Sequence, residues 1–265
     1  MERNSIMKEE YKTEAIPRSR IATFDVMSIG TLRHHVSALL EFDVTDSRKK
    51  LRELKRSGVK VSFNGWIIKA ISSALEKHTE ATGYLLGKKK IILFNDINVS
   101  FVVEKEINGK RVPIPMVIEK TNEKSAEEIT IEIENAGNQV MTEDDIVLRQ
   151  KPKAYERLYY SLPGFARRMF WRYLLRHPKT AFGKMGNVSV TSPGTAGKIN
   201  GWFIHKAVHP VSFGIGSVLN KPAAVNDVIL IREILKMTVL FDHDVIDGAP
   251  MVRFLKDLTE QIEKM

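Results

Sequence analysis

The last third of the chain constrains the fold most. Between Asn187 and Phe241 four apolar segments follow one another: NVSVTS (187–192), VSFGIGSVL (211–219), DVILIRE (227–233) and LKMTVLF (235–241). Each is short, rich in β-branched residues and bounded by turn residues, the pattern of strands. Met251 to Met265 then carries apolar residues at helical spacing,. A chain ending this way must lay a helix on a sheet.

The first two thirds add to both layers. Helices are predicted over about Ile21–His35, over SRKKLRELKRS with Thr45 or Asp46 as its cap, over FNGWIIKAISSALEKH from Ser62, and over SAEEITIEIENAG up to Gly137,. SALLEFDV (37–44), KIILFN (90–95) and INVSFVVEK (97–105) read as strands, the last two as neighbours. VPIPMVI (112–118) is extended, because its prolines forbid a helix interior,. Strands scattered among helices suggest one mixed α/β layered domain. Residues 1–20 read as an N-terminal arm ending near Pro17, and 21–265 as the domain proper.

Composition excludes several functions. No apolar run approaches the roughly 20 residues of a membrane span, and the polar N-terminus does not read as a secretory signal. The absence of cysteine removes disulfides, thiol nucleophiles and Cys-zinc sites, and suits a reducing cytoplasm,. His177, His205 and His209 lack metal-ligand spacing, so no metal is expected,. GYLLGKKK (83–90) and GIGSVL (214–219) fall short of the phosphate-loop and dinucleotide fingerprints and read as turn and strand glycines,. There is no G-x-S-x-G elbow.

The net charge of +9 is localised. Residues 149–184 hold ten Lys/Arg and one Glu, and the remainder is balanced. Within FARRMFWRYLLR, Arg167, Arg168, Arg172 and Arg176 share about half of a helical wheel, with Phe165, Met169, Phe170, Tyr173 and Leu174 largely opposite,. Such a helix can lie on an anionic membrane, cap a channel, bind phosphates, or pack on the domain with its arginines solvated. No nucleic-acid motif accompanies the charge, which argues against that partner.

FDHDVIDGAP (241–250) places one imidazole among three aspartates at a strand end. Imidazole titrates nearest neutral pH and is the natural general base for a thiol or hydroxyl. Taken alone, a histidine there is as well read as structural or solvated. The order His243-Asp244-Val245-Ile246-Asp247-Gly248, an H-x-x-x-D-G motif between strand and helix, resembles the CoA-dependent acyltransferases. More closely, it resembles the catalytic domain of the acyltransferase component of 2-oxo acid dehydrogenase complexes. RIATFDVMS, LLEFDVTDSRKKLRELK, VSFNGWIIKAISSALEKH, VPIPMVIEKTNEKSAEEI, NVSVTSPGTAG and HPVSFGIGSV resemble that family's successive segments in order, over about 200 of the 265 residues.

The resemblance implies a two-layer mixed-sheet sandwich of the chloramphenicol acetyltransferase-like type. It also implies a homotrimer, or a larger assembly of trimers, with each active site at a subunit interface. His243 takes the position of the base that accepts the proton of a CoA or dihydrolipoamide thiol. Thr191, with Ser192 as the alternative, takes that of the hydroxyl stabilising the oxyanion. Asp247 takes that of the motif carboxylate, which pairs with an arginine (Arg18 or Arg20), and Gly248 the tight turn. Coenzyme A is then the co-substrate, with a lipoyl group supplied by another chain, and no metal.

Three departures stand out. Asp244 replaces the arginine usual after the histidine, an exchange that acts on the imidazole pKa or on how the loop is held. No lipoyl domain, subunit-binding domain or Ala/Pro linker is legible before the domain in these residues, so the lipoyl group is expected to arrive on another chain. The basic insert at about 149–184 replaces a short loop. These leave two other readings: a non-catalytic scaffold or membrane-associated relative, and an acyltransferase acting on a small hydroxylated molecule.

Overall fold

The computed structural model describes residues 12–16, 19–107, 110–138 and 159–264. Most of the expected N-terminal arm, Arg18 included, and the first part of the basic insert lie outside the described residues.

One six-stranded sheet organises the chain. Its strands are β1 (His35–Asp43), β4 (Val99–Ile107), β5 (Lys110–Ile118), β6 (Val188–Thr191), β7 (Val211–Val225) and β8 (Val228–Asp242), in the order β1-β8-β7-β6-β4-β5. β6 runs parallel to both β4 and β7, and the other pairs are antiparallel. The proline-bearing β5 is an edge strand, where a missing N–H costs least,. β2 (Tyr84–Leu86) and β3 (Lys90–Ile92) form a separate small ribbon. KIILFN is therefore not a sheet neighbour of β4, contrary to the sequence reading. DVILIRE and LKMTVLF are one continuous strand, β8, rather than two. β7 and β8 join through Asn226 and Asp227, both at positive φ, the tight turn that matches strand twist,.

Helices α1 (Ser19–Gly30), α2 (Thr45–Arg56), α3 (Phe63–Glu76), α4 (Ala126–Asn138) and α7 (Gly248–Glu263) complete the layered body. The main core lies between the sheet and α3, α4 and α7, around Ile67, Ile71, Phe213, Val239 and Phe254. The Ser62 hydroxyl caps α3 by accepting the Gly65 N–H at 3.0 Å,. Gly65 itself lets α4 approach, since a Cβ there would meet the Thr130 hydroxyl. Helix α2 starts after Val44 without a side-chain cap, so neither Thr45 nor Asp46 caps it.

The described part of the insert folds as α5 (Gly164–Arg176) and α6 (Pro178–Met185). They build a second apolar cluster with α1 and β2, comprising Ile29, Tyr84, Leu174, Ala181, Met185 and Val208.

Candidate active site

Strand β8 delivers the histidine. Asp242, its last residue, is fully buried, and its carbonyl accepts the N–H groups of Val245 and Ile246 at 2.9 and 3.2 Å. That turn lifts His243 and Asp244 out of the sheet, where both are exposed. Ile246 drops back into the core, and α7 follows, packing Phe254 edge-on against Phe241 at 5.7 Å.

The loop is clamped residue by residue by the two residues that precede β1. Arg33 Nη1 donates to Asp242 Oδ2 at 2.9 Å. The His243 N–H donates to the His34 carbonyl at 3.0 Å. His34 Nδ1 lies 2.9 Å from Asp244 Oδ2, and the Asp244 N–H donates to Asp242 Oδ1 at 3.2 Å. The antiparallel β1–β8 pairing, with His35 opposite Asp242, brings Arg33 and His34 against Asp242, His243 and Asp244. Asp244 thus meets His34 through its side chain and Asp242 through its backbone.

Neither Arg33 nor His34 is legible as a site residue in the sequence. They sit some 210 residues from the motif, and only the strand pairing reveals them. Of the arginines expected to pair with Asp247, Arg18 lies outside the described residues. Asp247 is exposed and serves α7 through its backbone, its carbonyl accepting the Met251 N–H at 3.2 Å. Arg20 lies over the Phe24 ring, 6.0 Å from its centre, and makes no ion pair among the described residues. The pair that ties the loop is Arg33 with Asp242. Gly248 is simply the first residue of α7, where an added Cβ would meet nothing. The tight turn precedes it.

Thr191 ends β6, half-buried, with Gly214 opposite it on β7 and Thr238 opposite Gly214 on β8. His243 lies five residues farther along β8. Two strand spacings and five residue rises put the two side chains' backbones roughly 20 Å apart. Thr191 stands part-way along the sheet and His243 just past the end of β8, so the two do not meet within one chain. Beside Thr191, Ser192 donates to Asn64 Oδ1 at 3.2 Å, so its hydroxyl is already engaged. The turn that follows packs Gly194 directly on the Gly216 backbone, which no side chain would permit.

Behind the clamp three histidines cluster. His209 is buried, with Nε2 2.9 Å from the Met185 carbonyl, and His35 Nε2 lies 3.1 Å from the His209 carbonyl. Burial first, then the positive charge of Arg33 and the neighbouring His35 and His205, pushes the His209 pKa down to about 4. Burial likewise lowers those of His35 and His205.

The insert docks through a buried polar contact as well as through the apolar cluster around Leu174. Buried Asp25 on α1 accepts the Tyr159 hydroxyl and Arg167 Nε, each at 2.7 Å, and Trp171 Nε1 donates to the same hydroxyl at 2.9 Å. Leu174 is buried beside them, while Phe165, Met169, Phe170 and Tyr173 are exposed. The reading of Arg167 as one of a solvated set is thereby corrected: it is paired and half-buried. Among the described residues no helix is long and apolar enough to cross a membrane, and no group of three or more His, Asp or Glu is placed to hold a metal.

A model of the 2-oxoacid dehydrogenases acyltransferase (catalytic domain) family matches residues 8–144 and 184–265. The chain belongs to this family. The acetyltransferase component of the pyruvate dehydrogenase complex of Mycoplasma genitalium is 28% identical over 268 residues, covering 97% of this chain and 59% of that protein. The chain thus spans less than two thirds of the length of relatives of this kind. The family fold is equally plain. A protein described as a probable dihydrolipoamide acetyltransferase from Listeria monocytogenes superposes with a TM-score of 0.70 at 21% identity, covering 96% of this chain and 95% of that one. The cubic core of a pyruvate dehydrogenase multienzyme complex gives 0.69 at 16% identity, over 99% and 95% of the two chains. A chloramphenicol acetyltransferase gives 0.52 at 14% identity, over 97% and 100%. The expected two-layer mixed-sheet sandwich is the one observed.

Proposed function

We propose that this protein moves an acyl group between coenzyme A and a thiol acceptor such as a dihydrolipoyl group borne on another chain. In this reading His243 takes the thiol proton and the thiolate attacks the acyl thioester. The Thr191 hydroxyl of a neighbouring copy donates to the tetrahedral oxyanion, a contact worth about 3 kcal/mol where such donors have been removed. Ser192 and Asp247 support the site, the latter by starting α7.

The separation of His243 from Thr191 carries the shared-site reading. With their backbones roughly 20 Å apart, one chain does not bring the two to a common substrate, so a complete site requires two copies. Assembly has a second support. The β7–β8 hairpin runs past its neighbours, because β6 pairs only as far as Gly214 and β1 only from Ile234 onward. The free arm displays Val228, Ile229, Leu230 and Ile231, with Ile229 76% and Ile231 67% exposed. A contiguous apolar stretch of this kind is characteristic of an interface. A similar fold builds the cubic core of a multienzyme complex, and a cube's corners lie on three-fold axes, the symmetry a trimer fits.

The test is complementation. His243→Ala and Thr191→Val should each lose acyl transfer by about 100-fold or more while remaining folded. Co-assembled, the two variants should regain activity, because some sites then pair an intact histidine with an intact threonine. Mixtures as inactive as either parent would place the site within one chain. A His243→Ala protein with full activity would refute the base.

A further inference from the structure

The insert helix α5 lies within 145–183, which the family model leaves unmatched. One of its faces closes an open cleft of about 510 Å³ against the end of α1 and the β2–β3 turn. Arg172, Arg176, Lys88 and Arg33 line it, together with Asp244. Arg172 and Arg176 are one helical turn apart and so project side by side. Lys88 is presented by the turn in which Gly87 adopts φ +65°.

The charges in this cleft are not balanced from within. Elsewhere Arg48, Arg52, Arg167 and Arg232 each meet a carboxylate. Arg172, Arg176 and Lys88 meet none among the described residues. Arg33 is committed to Asp242 through Nη1, yet its buried Nε has no partner. The one carboxylate on the lining, Asp244, is turned to His34. Cations gathered in a concavity focus a positive field, and a multiply charged anion relieves their repulsion. Two guanidinium forks and an ammonium converging on one cleft match phosphate oxygens.

The cleft adjoins the site on both sides of His243, through Asp244 and through Arg33, the partner of Asp242. A phosphate site must flank the base rather than coincide with it, because the thiol of coenzyme A is held away from its phosphates by the pantetheine arm. We propose that this cleft is a phosphate-binding subsite, made by the insert for the phosphate groups of the thiol co-substrate. Its assignment to coenzyme A rests on the acyl-transfer reading, whereas its preference for phosphate does not.

The experiment is calorimetric titration of the whole chain with inorganic pyrophosphate, coenzyme A and dephospho-coenzyme A, repeated on R172E/R176E. R172Q/R176Q is the milder version should charge reversal impair folding. Wild type is expected to bind pyrophosphate and coenzyme A, and the double variant to bind both about tenfold or more weakly. A matching rise in KM for coenzyme A, with kcat largely kept, is expected in turnover. Equal binding of pyrophosphate by wild type and both variants overturns the subsite. Loss of pyrophosphate binding with coenzyme A affinity unchanged keeps the phosphate site and overturns its assignment to the co-substrate. Phosphate binding intact in a protein that transfers no acyl group keeps the subsite and sinks the proposed reaction instead.

Discussion

Arg33→Leu tests whether the clamp holds the histidine loop. Asp242 is 0% exposed and Arg33 13%, so the substitution leaves a buried carboxylate with one backbone donor, the Asp244 N–H at 3.2 Å. Breaking a buried pair from one side costs about 3–5 kcal/mol. An uncompensated carboxylate can always take up a proton, which at neutral pH costs about 4 kcal/mol and caps the loss. The expected destabilisation is therefore about 3–4 kcal/mol, measured by urea unfolding at pH 7 and fixed protein concentration, since assembly adds its own mass-action term. Adding Asp242→Asn removes the buried charge. The double variant should be more stable than the sum of the singles predicts by about 1 kcal/mol or more. A loss below about 1 kcal/mol for Arg33→Leu, the value of an exposed pair, would refute the account.

Two further outcomes follow from the same region. His209 titrates at about 4 in the folded chain against about 6.5 unfolded. Its burial thus costs nothing above pH 6.5, destabilises progressively as pH falls from 6.5 to 4, and levels off below, for a total of about 3 kcal/mol. His209→Gln should flatten that part of the stability profile relative to wild type, and parallel profiles would contradict it. Asp244→Arg and His34→Ala each break an exposed contact, so stability should change by less than about 1 kcal/mol. Each should nevertheless lower kcat several-fold, and the double variant no further than either single. Unchanged kcat in both singles would make the contact a surface ion pair only.

Much of the fold was legible because it rests on local pattern. The apolar spacing of α3 and α7, the β-branched runs of β6, β7 and β8, and the extended conformation imposed by Pro113 and Pro115 are each set by a few adjacent residues. The ordered motifs ending in His243-x-x-x-Asp247-Gly248 pointed to the family that the profile match establishes. Where local pattern misled, long-range pairing had decided. KIILFN pairs with β2 and not with β4, and Ile234, where the sequence suggested a break between two strands, lies inside β8 and pairs with Leu219 of β7.

The site divides along the same line. The sequence by itself determined which side chain is the candidate base and where its strand ends, because a strand, a turn and a helix are written contiguously around His243. Only the tertiary structure decided what holds that base. Antiparallel pairing of β1 with β8 sets Arg33 and His34 against Asp242, His243 and Asp244, and no local rule couples residues that far apart. Nor could the helical wheel choose the buried side of α5. With Arg167 held by buried Asp25, the helix turns Phe165, Phe170 and Tyr173 outward, and Arg172 and Arg176 line a cleft beside the histidine. A buried charge must find its partner, and the apolar stripe alone does not show where that partner lies.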